Sequence, residues 1–495
     1  MKEKTGIQRL ATASSDKEQK QVKEYRFKRR ESMLTLIYNS SGGKVLYSII
    51  LSSVFVLFLV ESIRYWYRRE LLYEDLSFLV RCFDSIHVFF YSWFSIHIPI
   101  FGILFPAAKV MMKHAGRLPF ILSAFATLLV IGIIPLALLM IHKTSEVVRT
   151  MMVMEQVRVF MKVIAYSVEI CRTEQVNDVA PPTPAVPVQP DGSNNDNMSE
   201  VHKTAQMFGS LVGSGRKSPA DDKGKRTEDI PTEPTVKALL YFLFAPTLIY
   251  RPTYPSLGRA RSFRVIRKCA TDISMLMFVT LVVHRRHYEP IVNHLGAYPM
   301  SQLSADTVLS IFLWSTIMGW LCLLGIGFGF LHCWLNIWAE LLDFGDRQFY
   351  KSWWECRGID EFMRTWNYLI HSWISSYIFK PTISITKSKQ ISLLVVILVS
   401  AFIHDYIMSV IGGVATSIFS AVVICIVIPT FLLALPANYM QGNKGVNFFT
   451  FFVLTLTATV MGLMGGSEYV TRLVNCVNPQ RSPFNIMPGI FDCEH

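Results

Sequence analysis

His404 ends an apolar run that begins at Ile391, and its imidazole is the chemistry-bearing group of that run. An ionisable side chain within a hydrocarbon layer is costly, and where one persists it marks a function or a water-filled cavity. A neutral imidazole within reach of a hydroxyl takes its proton as the oxygen attacks, so general-base catalysis is the chemistry to expect. A core histidine bonded to a backbone carbonyl is the plainer alternative. Ser400 lies four residues earlier, on the same face of a helix, as a nucleophile or as a small polar residue shaping a pocket. Upstream, Phe349-Tyr-Lys-Ser-Trp-Trp-Glu355 gathers aromatic rings around ionisable groups just after a long apolar segment. Such a composition suits the mouth of a membrane-embedded cavity.

The elements that position these residues follow from composition. Of 495 residues, 51% are hydrophobic, 13% aromatic and only 17% charged, with a mean hydropathy of +0.35. Soluble domains carry about a quarter charged residues, so this is a polytopic membrane protein of the all-α class. Its net charge of +12 is shared between the N-terminal tail and the connections between apolar runs, which marks cytoplasmic loops and not a nucleic-acid surface. The tail is basic (Lys23, Arg26, Lys28, Arg29, Arg30), and the apolar run after it comes too late and too long for a cleavable signal. The N-terminus is therefore expected in the cytosol.

Apolar runs near the length needed to cross a bilayer occupy 45–63, 86–108, 118–141, 307–331, 391–410, 414–435 and 448–464. Two weaker ones are 269–284, which is short, and 147–168, whose Glu155, Arg158 and Lys162 need shielding by protein or water. Nine spans would place the C-terminus in the lumen; eight would not. The chain thus divides into a basic tail (1–44), a first helical group (45–171), a linker (172–235), a second helical core (236–475) and a C-terminal tail (476–495). The linker, with its Pro-Pro-Thr-Pro, Gly-Ser-Asn-Asn-Asp-Asn and Lys-Gly-Lys-Arg stretches, has the composition of a disordered tether. Nine scattered cysteines, with no Cys-x-x-Cys pair and no His/Cys cluster, give no zinc site. The stretch from Glu340 to Lys389 alternates tryptophans with charges, as a membrane boundary or cavity wall does.

Three stretches, in order, carry a family resemblance: Tyr241-Phe-Leu-Phe-Ala-Pro-Thr-Leu-Ile-Tyr-Arg251, Phe349–Glu355, and Ser400-Ala-Phe-Ile-His-Asp-Tyr406. With Trp334–Asp346 and Arg364–Trp373, they resemble the membrane-bound O-acyltransferase family, in particular its sterol O-acyltransferase branch. The likeness runs from about Glu155 to the C-terminus, apart from the linker. It implies a fold of about nine transmembrane helices in the endoplasmic reticulum membrane, assembled as a homodimer or homotetramer. The implied reaction moves a long-chain acyl group from acyl-CoA, a co-substrate, to a sterol hydroxyl among membrane lipids, with no cofactor or metal. In this resemblance His404 matches the catalytic histidine, and Lys380, Tyr377, Trp354 and Ser400 match acyl-CoA contacts. Cys476 and Cys493 match a lumenal disulfide.

The sequence departs from the family at the signature Phe-Tyr-x-Asp-Trp-Trp-Asn. Ser352 replaces the aspartate and Glu355 the asparagine. An amide there can donate to the oxyanion of the breaking thioester; a carboxylate cannot. Burial among Trp353, Trp354 and Phe349 would keep Glu355 protonated and able to donate. Otherwise Glu355 turns away or partners His404, in a slow, altered or silent enzyme. A diacylglycerol acceptor, or a relative that only binds sterol or acyl-CoA, is the alternative to a sterol acceptor. His371 is the competing histidine, in an amphipathic aromatic stretch where a structural role is expected. Tyr250 and Arg251 are expected to order a loop turned by Pro246.

Overall fold

The computed structural model describes residues 27–68, 80, 82–111, 117–142, 144–179, 234–259, 261–290, 304–356, 359–412 and 455. Residues 1–171 and 233–495 form one unit and 172–232 a second, of which the described part is the end of one helix. The described residues are helical and contain no strand, in agreement with the all-α reading; one parallel bridge joins Arg30 to Asp346. In chain order the helices used below are α1 (Met33–Asn39), α2 (Ser41–Arg68), α3 (Ile86–Met111), α4 (Arg117–Ile141) and α5 (Glu146–Val179). They continue with α6 (Val236–Phe244), α7 (Phe263–Val283), α8 (Ala305–Leu341), α9 (Ile359–Thr365), α10 (Tyr368–Ile374), α11 (Lys380–Thr386) and α12 (Lys389–Gly412).

Among the described residues, five helices are long and apolar enough to cross a bilayer: Ser41–Arg64 within α2, α3, Arg117–Leu139 within α4, α8 and Lys389–Ile411 within α12. Each contains one of the expected apolar runs. The runs 414–435 and 448–464, and the Cys476–Cys493 pair, lie outside the described residues, as does the linker from 180 to 233. Leu46, Ile49, Phe55 and Phe58 of α2 are exposed, an apolar surface that water would penalise and lipid tails accept.

The structure lengthens one run. Instead of stopping at 331, α8 widens into a π turn at Gly325–Trp334 and continues to Leu341, burying Leu335, Asn336, Ala339 and Glu340. Asn336 and Glu340 read as the polar end of a span, but both are satisfied inside the protein: Asn336 Nδ2 donates to His332 O at 2.7 Å, and Glu340 pairs with Arg347 at 2.7 Å. The runs 269–284 and 147–168 are helical as well, within α7 and α5.

The charges on α5 meet the condition set for them, since protein groups satisfy each. Arg158 Nε donates to Glu155 at 2.6 Å. Lys162, 2% exposed, donates to Phe242 O (2.6 Å), Leu243 O (2.9 Å) and Ala245 O (2.8 Å). Those carbonyls lack helical partners because Pro246 forces Ala245 out of the helix, to φ −59 and ψ 141, and Ala245 O and Leu243 O also accept from Thr247 N and Arg158. A lysine at a helix C-terminus is the favoured cation for that end.

Candidate active site

α12 carries His404, half-buried, with Nδ1 2.7 Å from Ser400 O. A carbonyl only accepts, so Nδ1 is the donor of this hydrogen bond, which leaves Nε2 as the nitrogen able to carry the lone pair. The hydrogen bond uses the serine backbone, not its hydroxyl. Two residues on, Tyr406 OH donates to Gln156 Oε1 at 2.7 Å, and Gln156 Nε2 donates to Ile131 O and Gly132 O at 2.9 and 3.0 Å. Tyr406, Ile407 and Val410 also pack with Val88, Leu139, Val148 and Met152, which fixes the rotation of α12 and with it the aim of the imidazole.

The segment Phe349–Glu355 is anchored at its start and open at its end. Phe349 and Tyr350 are buried; Trp353 and Trp354 are half-buried. Tyr368 N donates to Phe349 O at 2.9 Å and Lys351 N to Thr365 O at 2.8 Å, tying the segment to the entry of α10. Trp353 meets Trp354, Phe362 and Trp366 edge-on at 5.6, 6.0 and 6.2 Å. Glu355 closes the turn Trp353–Glu355 with an exposed side chain. Of the two alternatives set out for Glu355, burial among Trp353, Trp354 and Phe349 is not what the structure shows, since its side chain is exposed.

The loop after α6 is ordered as expected of Tyr250 and Arg251. Tyr250 is buried, and Arg251 Nη1 lies 2.6 Å from Glu169 Oε2. Arg251 N donates to Tyr254 OH, which donates to Ile249 O, both at 2.9 Å. Glu169 also accepts from Tyr377 OH at 2.9 Å, so that hydroxyl, assigned to acyl-CoA, is engaged internally. The loop also approaches the signature through Gly345, whose N donates to Pro255 O at 2.7 Å; a Cβ at 345 would stand 2.6 Å from that oxygen. Only glycine allows this approach.

A family model for membrane-bound O-acyltransferases matches residues 38–466. The chain belongs to that family. Human sterol O-acyltransferase 2 is 37% identical over 197 residues, 39% of this chain and 37% of that protein. Mouse sterol O-acyltransferase 1 is 37% identical over 36% of this chain and 32% of that protein. Rice diacylglycerol O-acyltransferase 1-2 is 37% identical over 36% of each. The chain thus matches about a third of the length of these relatives.

In this membrane-bound O-acyltransferase the expected site residues lie on three packing units. Tyr377 packs with the loop after α6, Trp354 with Phe349 and Tyr350, and the segment after His404 with α4 and α5. Lys380 opens α11 half-buried, after a π turn at Ser375–Phe379 that packs against α12. His371 is half-buried, and its pKa is held below the usual range by burial and then by Arg364 and Lys351.

His97, in α3, was passed over. Its Nδ1 lies 2.7 Å from Trp93 O, four residues back, and its ring sits 4.4 Å from the Trp93 ring. It repeats the tautomer of His404, and its Nε2 is buried without a partner. The signal that found His404, an ionisable residue in an apolar run, applies equally to 86–108. His97 is therefore the natural rival base, and comparing alanine variants at the two positions separates them. We expect His97→Ala to keep turnover within about tenfold of the parent, well short of the loss of a general base. A larger loss than that of His404→Ala would move the base to α3.

Proposed function

We propose that this chain is an acyl-CoA:sterol O-acyltransferase of the endoplasmic reticulum membrane, with a cytosolic N-terminus and His404 as its general base. The observation that supports the reading is the His404 hydrogen bond: with Nδ1 donating to Ser400 O, Nε2 is the nitrogen that would act as the base. The sterol 3-hydroxyl would pass its proton to Nε2 while its oxygen attacks the thioester carbon of a long-chain acyl-CoA. The C–S bond then breaks and the proton leaves with the CoA sulfur. The sterol O-acyltransferase relatives support this acceptor. Equal identity to a diacylglycerol O-acyltransferase supports a diacylglycerol acceptor as the second reading. Purified protein given labelled oleoyl-CoA with cholesterol or diacylglycerol in parallel decides between them. Steryl ester is the expected product; diacylglycerol as the sole acceptor would overturn the reading.

Glu355 bears on the rate. Its exposed carboxylate accepts and does not donate, so Glu355→Asn restores the family's amide at the position facing the oxyanion. We expect this variant to raise turnover, by up to ~10²-fold if the amide reaches the oxygen. Initial rates of ester formation for the parent and for the asparagine, glutamine and alanine variants measure it. Four indistinguishable rates would make Glu355 a bystander. Absence of turnover in all four, with acyl-CoA binding intact, would mean a silent relative.

A further inference from the structure

Residues 27–32 run ahead of α1 as a strap over the start of the signature segment. Its backbone pairs with the chain at 345–347: Arg30 N donates to Gly345 O at 2.9 Å and Arg347 N to Arg30 O at 3.0 Å. Asp346, 4% exposed, receives the strap on both oxygens. Arg30 Nε lies 2.5 Å from Oδ1, Arg30 Nη2 3.0 Å from Oδ2, and Lys28 N 3.2 Å from Oδ2. Arg30 also donates to Gln348. Phe27 stands edge-on to Tyr254 and Phe344 at 5.1 and 6.2 Å.

Ser32 is the end of the clamp that enters the signature itself. It has no exposed surface, and its Oγ lies 2.9 Å from Tyr350 OH and 3.1 Å from His332 Nδ1. Tyr350 OH is also 2.7 Å from His332 Nδ1 and accepts from Leu34 N at 3.3 Å. A serine hydroxyl fits this closed group of three because it is small and neutral. A phosphate does not: it adds nearly two negative charges and three oxygens at a side chain that has no exposed surface.

The residues that hold the strap are also those that would direct a modification. Arg29 and Arg30 stand three and two residues before Ser32, the arrangement by which basophilic serine kinases select their target through its arginines. When the strap is down, Arg30 is spent on Asp346 and Ser32 is enclosed; when it lifts, both become available together.

We propose that Ser32 is a phosphorylation site and that its phosphate holds the strap off the signature segment. In the step, Ser32 Oγ attacks the γ-phosphorus of ATP held by a basophilic serine kinase. The bond from that phosphorus to the bridging oxygen breaks, ADP leaves with the electron pair, and the hydroxyl proton passes to the kinase. The phosphoserine cannot return beside Tyr350. The 344–350 stretch then loses the backbone and side-chain bonds that set the start of Phe349–Glu355. The inference rests on the family's signature segment and not on which lipid accepts the acyl group.

Hydrogen exchange tests it without needing turnover. Full-length protein in detergent is incubated with ATP and a purified basophilic serine kinase, and Ser32 occupancy is read by mass spectrometry. The Arg347 amide, bonded to Arg30 O, and the peptide over 344–350 should exchange at least about tenfold faster once Ser32 is phosphorylated. Asp346→Ala, which frees Arg30, should speed phosphorylation; Tyr350→Phe, which keeps the ring, serves the same purpose should the first variant fold poorly. An unmodified Ser32 in the parent and in both variants would overturn the proposal. So would a phosphorylated Ser32 with unchanged exchange over 344–350.

Discussion

Replacing His404 with alanine is expected to lower ester formation by ~10²–10⁴-fold while leaving expression and oligomer size as they are. Ser400 O fixes the proton on Nδ1, and the Tyr406–Gln156 hydrogen bond keeps α12 from rotating, so Nε2 is presented in one direction. Alanine removes the proposed base and leaves that scaffold untouched, since neither the Tyr406–Gln156 hydrogen bond nor the packing of Ile407 and Val410 involves the imidazole. Tyr406→Phe supplies the companion measurement: it keeps the ring in its packing but frees the helix to turn. A loss smaller than that of His404→Ala is expected from it, mainly in kcat. Initial rates at saturating acyl-CoA decide the matter. If His404→Ala kept more than about a tenth of the parental rate, no general base of the usual worth would reside there.

Neutralising Glu340 should be the most damaging change to stability. Its carboxylate, 2% exposed, lies 2.7 Å from Arg347 Nη2, also 2% exposed, accepts from Ser262 N at 2.6 Å, and is 3.3 Å from Arg259. Glu340→Gln strands the Arg347 guanidinium in a buried site, and removing one partner of a buried ion pair costs about 3–5 kcal/mol. For a chain of this size that is a fall of roughly 3–5 °C in the unfolding midpoint. Arg347→Met combined with Glu340→Leu should cost less than the sum of the two single changes, because no charge is then left alone. Thermal unfolding in detergent measures Glu340→Gln, the two single changes and the double variant. A Glu340→Gln midpoint within about 1 °C of the parent would show that solvent reaches this pair.

The part of the fold that was legible in the sequence is the part written in consecutive residues. Lipid-spanning helices declare themselves by length and apolar content alone, so Ser41–Arg64 and Lys389–Ile411 could be placed to within a few residues. His404 stands out in the sequence for a related reason, as an ionisable residue in an apolar run, and its role is the proposal made above. The rest depends on partners far apart in the chain. Nothing near Arg30 announces Asp346, 316 residues away, and nothing near Glu340 shows that the polar end of α8 would be buried against Arg347. The end of α8 was misplaced at 331 because Asn336 and Glu340 look solvated until their partners are known. Glu355 failed in the opposite sense: aromatic neighbours in sequence did not become a covering in space, since Trp353 spends its faces on Phe362 and Trp366.

The bonds from Lys162 to the end of α6 have a consequence for biosynthesis. The first of its carbonyl partners lies 80 residues downstream. At ribosomal rates of about 5–20 residues per second, the ammonium waits roughly 4–16 s between its own synthesis and theirs. During that interval α5 carries a cation whose eventual partners do not yet exist, and a hydrocarbon environment would reject it. α5 is therefore expected to linger where water or the insertion machinery can hold the charge, and to settle only after Ala245 has emerged. A ribosome stalled before Phe242 should leave α5 extractable at alkaline pH, and one stalled well beyond Arg251 should not.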